Sequence, residues 1–238
     1  MYHIPGLLQS TLLHHQQQYF PVVPFNAATD KVLLLNLSGT NKQLPKLSFD
    51  KPNVLEQYIN GLVQNAGARY GYGGYAELRE VYGATAHFDG GPGEEPRRFH
   101  LGADIWAAAG TPVMAPISGL VHSFGFNNNL GDYGATIILS HSLNGVAFYT
   151  LYGHLSLDSL SQLREGQYVV GGSPFAWLGV PAENGGWPPH LHFQIIEHIG
   201  NYWADYPGVC RYSERNQYLT NCPNPELILQ WMPYAMAH

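Results

Sequence analysis

Between about His100 and Ile196, apolar residues gather in short runs over residues 111–116, 120–124, 135–140, 146–151, 168–170 and 190–196, divided by glycine turns. Runs of this length, rich in β-branched and aromatic residues, predict strands. Their even spacing predicts an antiparallel β-sheet or open barrel-like sandwich, a mainly β fold of the α+β class. Ahead of them the period changes. Val54, Leu55, Tyr58, Ile59, Leu62 and Val63 recur at helical spacing, with Asp50 suited to cap, Pro52 to the first turn and Gly67 to the end. Further upstream, residues 31–37 form one strand-like run closed by Ser38, Gly39, Thr40 and Asn41. Residues 71–76, GYGGYA, fit the loose form of a dinucleotide fingerprint but follow a helix rather than a strand, so they are expected to be a loop. The organisation expected is an N-terminal extension with one helix over 1–90, packed on a core over 91–200, with an irregular proline-bearing tail over 201–238 that wraps the domain.

Composition narrows the class further. Of 238 residues, 45% are hydrophobic and 12% charged, with 27 glycines and 17 prolines, the balance of a globular chain rich in strands and turns. A formal net charge of −6, with no basic run interleaved with aromatics, argues against nucleic acid as a partner. No stretch approaches the roughly 18 consecutive apolar residues of a membrane span, and the first 20 residues show no positive n-region. A cytoplasmic setting is therefore expected, with Cys210 and Cys222 as reduced thiols.

Candidate chemistry lies in the β-rich half. In an extended chain alternate residues share a face, so His100, Gly102 and Asp104 would point one way, the glycine leaving room between two potential ligands. The same period in Pro189-His190-Leu191-His192-Phe193 sets both imidazoles on one face and sends Leu191 and Phe193 to the other. Two protonated imidazoles side by side would repel, and a shared metal relieves this. His154 ends an apolar strand, where a side chain can reach a cleft. The remaining histidines have no ligand spacing and are assigned no role.

The fragments HLGAD, GTPVMAP, SGLVHSF, FYTLYGHL, REGQYVVGG and PPHLHFQ, in this order over residues 98–196, resemble the lysostaphin-like (LytM-type) zinc metallopeptidase family. The resemblance implies Zn2+ held by His100, Asp104 and His192, with His154 and His190 acting on substrate and water. It implies a peptide or peptidoglycan-like substrate. A narrower likeness, carried by Gly73-Gly74-Tyr75, the run from Asp132 to Gly134, Glu183 to Pro189 and Tyr206 to Val209, is to a subgroup in which this domain also occurs fused to a kinase-like domain and a class III aminotransferase. That subgroup weakens a cell-wall assignment. Independently of any family, two imidazoles and one carboxylate leave a fourth position of a tetrahedral zinc open, the pattern of a catalytic site. Without an HExxH glutamate, the proton must pass to His154 or His190. Two other readings fit the same ligands: a zinc-retaining module that binds peptide or glycan without turnover, and a non-haem Fe(II) oxygenase.

Overall fold

The structure, a computed structural model, describes residues 6–45 and 53–237. Its strands are β1 (Val32–Leu34), β2 (Tyr70–Gly73), β3 (Arg97–His100), β4 (Ala103–Trp106), β5 (Pro112–Met114), β6 (Gly119–Asn127), β7 (Gly134–Leu143), β8 (Val146–Leu155), β9 (Tyr168–Val169), β10 (Pro174–Trp177), β11 (His190–Ile196), β12 (Val209–Arg211) and β13 (Ala235–Met236). Helices are few and short: α1 (Leu7–His14), α2 (Asn53–Asn65), α3 (Arg215–Asn221) and α4 (Glu226–Leu229). Nine strands form one sheet in the order β13-β1-β2-β4-β11-β8-β7-β6-β9, and β5 with β10 and β3 with β12 form two small ribbons. The mainly β class expected from the hydrophobic pattern is the one observed.

Within the large sheet, every pairing from β2 through β9 is antiparallel, whereas β1 runs parallel to both β2 and β13. The parallel edge was not foreseen, because parallel neighbours meet through long crossovers that leave no local sequence signal. It also changes the reading of the two flanks. The first 73 residues contribute two strands to the sheet, and the tail carries α3, α4 and a final strand instead of remaining irregular. Of residues 71–76, expected to be loop, 71–73 belong to strand β2 beside β4 and 74–76 are coil and turn; Tyr70 and Tyr72 point inward and pack on Trp231. Helix α1 was also missed, since its anchors are only Leu8 and Leu12, one turn apart. Helix α2 forms where the period placed it, buries Leu55 and Ile59, and ends at Asn65, with Gly67 in the turn just beyond at φ +62°. Asp50 and Pro52 lie outside the described residues.

Strand β11 is buried along its whole length. On one side Leu191, Phe193 and Ile195 join Ile105, Ile137, Leu139 and Tyr152 in the main core. Burying a Leu or Phe side chain is worth about 1.5–3 kcal/mol. A one-residue slip would turn these side chains out of the core, so the same burial fixes His190 and His192 on the opposite face.

His141, given no role by its spacing, is a structural residue. It is buried, with Nδ1 donating to Ser118 O at 3.1 Å, Nε2 paired with Thr150 Oγ1 at 2.7 Å, and its ring stacked on Phe148. Burial lowers its pKa from 6.5 to about 4. Between these two values the unfolded chain binds a proton that the folded chain refuses, so stability is full above the unfolded value and falls as pH drops toward 4. The expected loss is about 3 kcal/mol. Urea unfolding of wild type and His141→Gln from pH 7 to pH 4 checks this. The variant's pH dependence should be shallower by that amount, and an equal slope in both would remove His141 as the cause.

Candidate metal centre

Four neighbouring strands set the site in register. Across β2, β4, β11 and β8, Gly73 stands beside Asp104, Asp104 beside His192, and His192 beside Gly153. His154 follows one residue later and His190 lies opposite Trp106. His100 arrives differently from the single extended strand expected for residues 100–104. It ends β3, which pairs with β12 in a separate ribbon, and the chain crosses at Leu101-Gly102 before Asp104 takes its place in the large sheet. The two side chains converge from two sheets.

His100, Asp104 and His192 offer three donor atoms within 4.8 Å of one another, all buried. His100 Nε2 lies 2.9 Å from His192 Nδ1 and 3.3 Å from Asp104 Oδ1, and His192 Nδ1 lies 3.2 Å from the same oxygen. The outer contacts decide what these atoms carry. His100 Nδ1 donates to the carbonyl of Gly74 at 2.7 Å, so in the neutral ring Nε2 is bare. Gln194 donates through Nε2 to Pro207 O, which turns its Oε1 toward His192 Nε2 at 2.9 Å and makes that nitrogen the donor. Its Nδ1 is then bare as well. Two lone pairs and a carboxylate oxygen facing one another without a proton between them form a cradle for a cation, and the N, N, O set suits zinc.

Asp104 is held from behind by Arg79, whose Nη1 donates to Oδ2 at 2.5 Å while its Nε pairs with Glu77 at 2.7 Å. Burial alone would raise the Asp104 carboxyl; His100 and the Arg79 guanidinium outweigh it and keep the group well below the usual carboxylate range. Burial, reinforced by Arg79, lowers His100 to about 4.

His154 and His190 stand beside this trio, their rings 4.1 Å apart. Each is anchored through Nδ1 on a backbone carbonyl, His154 on Asn184 at 2.8 Å and His190 on Pro188 at 2.7 Å. In the neutral rings both Nε2 atoms are therefore bare. His190 Nε2 is 4.0 Å from Asp104 Oδ1, and its ring stacks on Trp106. Burial comes first in pushing both pKa values down, His190 to about 4 and His154 well below its ordinary value, the latter helped by the two neighbouring imidazoles. Both rings are therefore neutral near pH 7.

Sequence reasoning missed Arg79 and Tyr133. The Tyr133 hydroxyl lies 3.4 Å from His192 Nε2, where its oxygen can accept from that N–H, and burial raises its pKa well above 10, so it stays protonated. Arg79 precedes its partner by 25 positions with no periodic signal, whereas Tyr133 sits within the Asp132–Gly134 run already noted. Cys210 and Cys222 are free, buried thiols, pushed by burial up to about 12.

A mainly β scaffold presenting two imidazoles, a carboxylate and two further neutral imidazoles in one buried cluster defines a candidate metallohydrolase centre. Residues 98–203, which contain all five, match the model of Peptidase family M23. The DD-carboxypeptidase/endopeptidase Mpg of Neisseria meningitidis serogroup B is 37% identical over 120 residues, 50% of this chain and 24% of that protein. The L-Ala--D-Glu endopeptidase of Bacillus subtilis is 30% identical over 145 residues, 59% of this chain and 41% of its own. The catalytic domain of the antimicrobial peptidase lysostaphin from Staphylococcus simulans is 25% identical, the likeness covering 68% of this chain and 96% of that domain at a TM-score of 0.40. The likeness to Peptidase family M23 thus lies in the part of the chain that carries the cluster. The chain spans less than half the length of the curated relatives it matches.

Proposed function

We propose that the chain is a zinc-dependent metalloendopeptidase that hydrolyses peptide amide bonds, with zinc held by His100, Asp104 and His192. The convergence of two bare imidazole nitrogens and a carboxylate oxygen, beside two further histidines with bare Nε2 atoms, carries this reading. When bound, zinc supplies a Lewis acid that polarises a carbonyl and acidifies water.

The protein's own part is proton handling and orientation. Of His154 and His190, one takes the proton of the attacking water and returns it to the leaving amine, and the other, once protonated, steadies charge on the carbonyl oxygen. Their carbonyl anchors hold each ring in a single tautomer. Arg79 occupies Asp104 Oδ2 and leaves Oδ1 for the metal. The two additional histidines favour hydrolysis over an oxygenase, whose open positions serve oxygen and a co-substrate. Peptidoglycan-like peptides are the substrate class suggested by the names of the relatives. The likeness to the fused subgroup keeps non-wall peptides in view.

Purified protein is expected to hold about one zinc per chain, as a single such site would. His192→Ala should lose it, as read by metal analysis beside circular dichroism. Full zinc retention in the folded variant would take His192 out of the ligand set, and iron in place of zinc, with oxygen uptake, would favour the oxygenase.

A further inference from the structure

The metal cluster opens into a 130 Å³ cavity whose far wall lies largely outside the matched family region. Leu37 follows β1, Leu44 closes the next turn, Leu55 belongs to α2 and Val81 to the short turn Glu80–Ala84, and they face Trp106 and Trp187 of the core. Leu37, Leu55 and the two tryptophans are buried in one apolar cluster, with Leu44 and Val81 half-buried against it. The wall nearest the metal cluster carries Arg79, His100, Asp104, His154, His190 and His192, whereas the far wall is aliphatic and aromatic, so the far end is the part that suits an apolar side chain. A glycine residue would leave such a space empty.

We infer that this cavity is a subsite for a leucine- or phenylalanine-sized side chain next to the scissile amide, and that the N-terminal segment makes the chain select such residues over glycine. The inference rests on the peptidase reading for the word scissile, but the subsite itself can be tested without catalysis. Titrating metal-free protein with N-acetyl-leucine amide and N-acetyl-glycine amide by NMR should show the leucine probe binding about 10-fold tighter or more, the usual discrimination of an apolar pocket. Leu44→Trp and Val81→Trp, which fill the space from separate segments, should each lose that preference, so the test survives if one of them fails to fold. In zinc-loaded protein, peptides differing only in Leu, Phe or Gly at the position beside the cut should show the same ranking in kcat/KM. Equal binding of the two probes would overturn the subsite, as would cleavage that favours glycine. Preferential binding of leucine by a folded, zinc-loaded protein that cleaves none of the peptides would support the subsite and overturn the peptidase reading alone.

Discussion

His154→Ala is expected to keep its zinc and its fold while losing about 10²-fold to 10⁴-fold in peptide hydrolysis, the usual contribution of a positioned acid or base. His154 comes from β8, apart from the strands that bring the three ligand side chains, and its Nε2 is free of any anchoring role because Nδ1 holds the ring to Asn184. Its backbone is in the left-handed region, φ +63°, a conformation that alanine also finds costly, so the substitution exchanges one strained residue for another. Zinc content, circular dichroism and turnover of a peptide panel, measured side by side, separate loss of chemistry from loss of structure. Undiminished activity in the zinc-loaded variant would sink the proposed role.

Gly102→Ala is expected to have its largest effect on the metal. A β-carbon at residue 102 would lie 2.5 Å from both Cε1 and Nε2 of the His192 ring and 2.9 Å from the carbonyl oxygen of Phe193. The carbonyl belongs to the buried centre of β11, so the imidazole must give way and break its contact with Gln194. Displacing the partner that orients a ligating histidine commonly costs about 10-fold to 100-fold in metal affinity, and here the ligand itself moves. Competition with a zinc chelator would read this directly. Wild-type affinity in the alanine variant would mean that His192 does not occupy the orientation described.

Much of this site was legible because its residues follow a local period. Alternation along residues 190–196 gave a strand with the observed bounds and put His190 and His192 on one face. For His100 and Asp104 the chemistry was readable but the geometry was not: the spacing suggested one strand, whereas the chain changes sheets between them and tertiary packing restores the proximity. Arg79 could not be read at all. A buried cation that meets its carboxylate across the fold leaves no mark in either sequence neighbourhood. The same holds for the edge where β1 lies parallel between β2 and β13, assembled from segments far apart in the chain.

The loops on either side of His154 belong to one another more than to the strands they leave. A β-carbon on Gly134 would stand 2.2 Å from the carbonyl oxygen of Glu183, and one on Gly185 would stand 1.9 Å from that of Asp132. Between these two contacts, His154 gives its amide hydrogen to Tyr133 and its ring hydrogen to Asn184, while the Asn184 side chain ties Gly179 to Trp187. Residues 131–134 and 183–187 are therefore tied to each other directly and through His154, which stands as their crosspiece. Each loop holds a different part of the residue, one its amide and the other its ring, so the orientation of the imidazole depends on both loops keeping their packing.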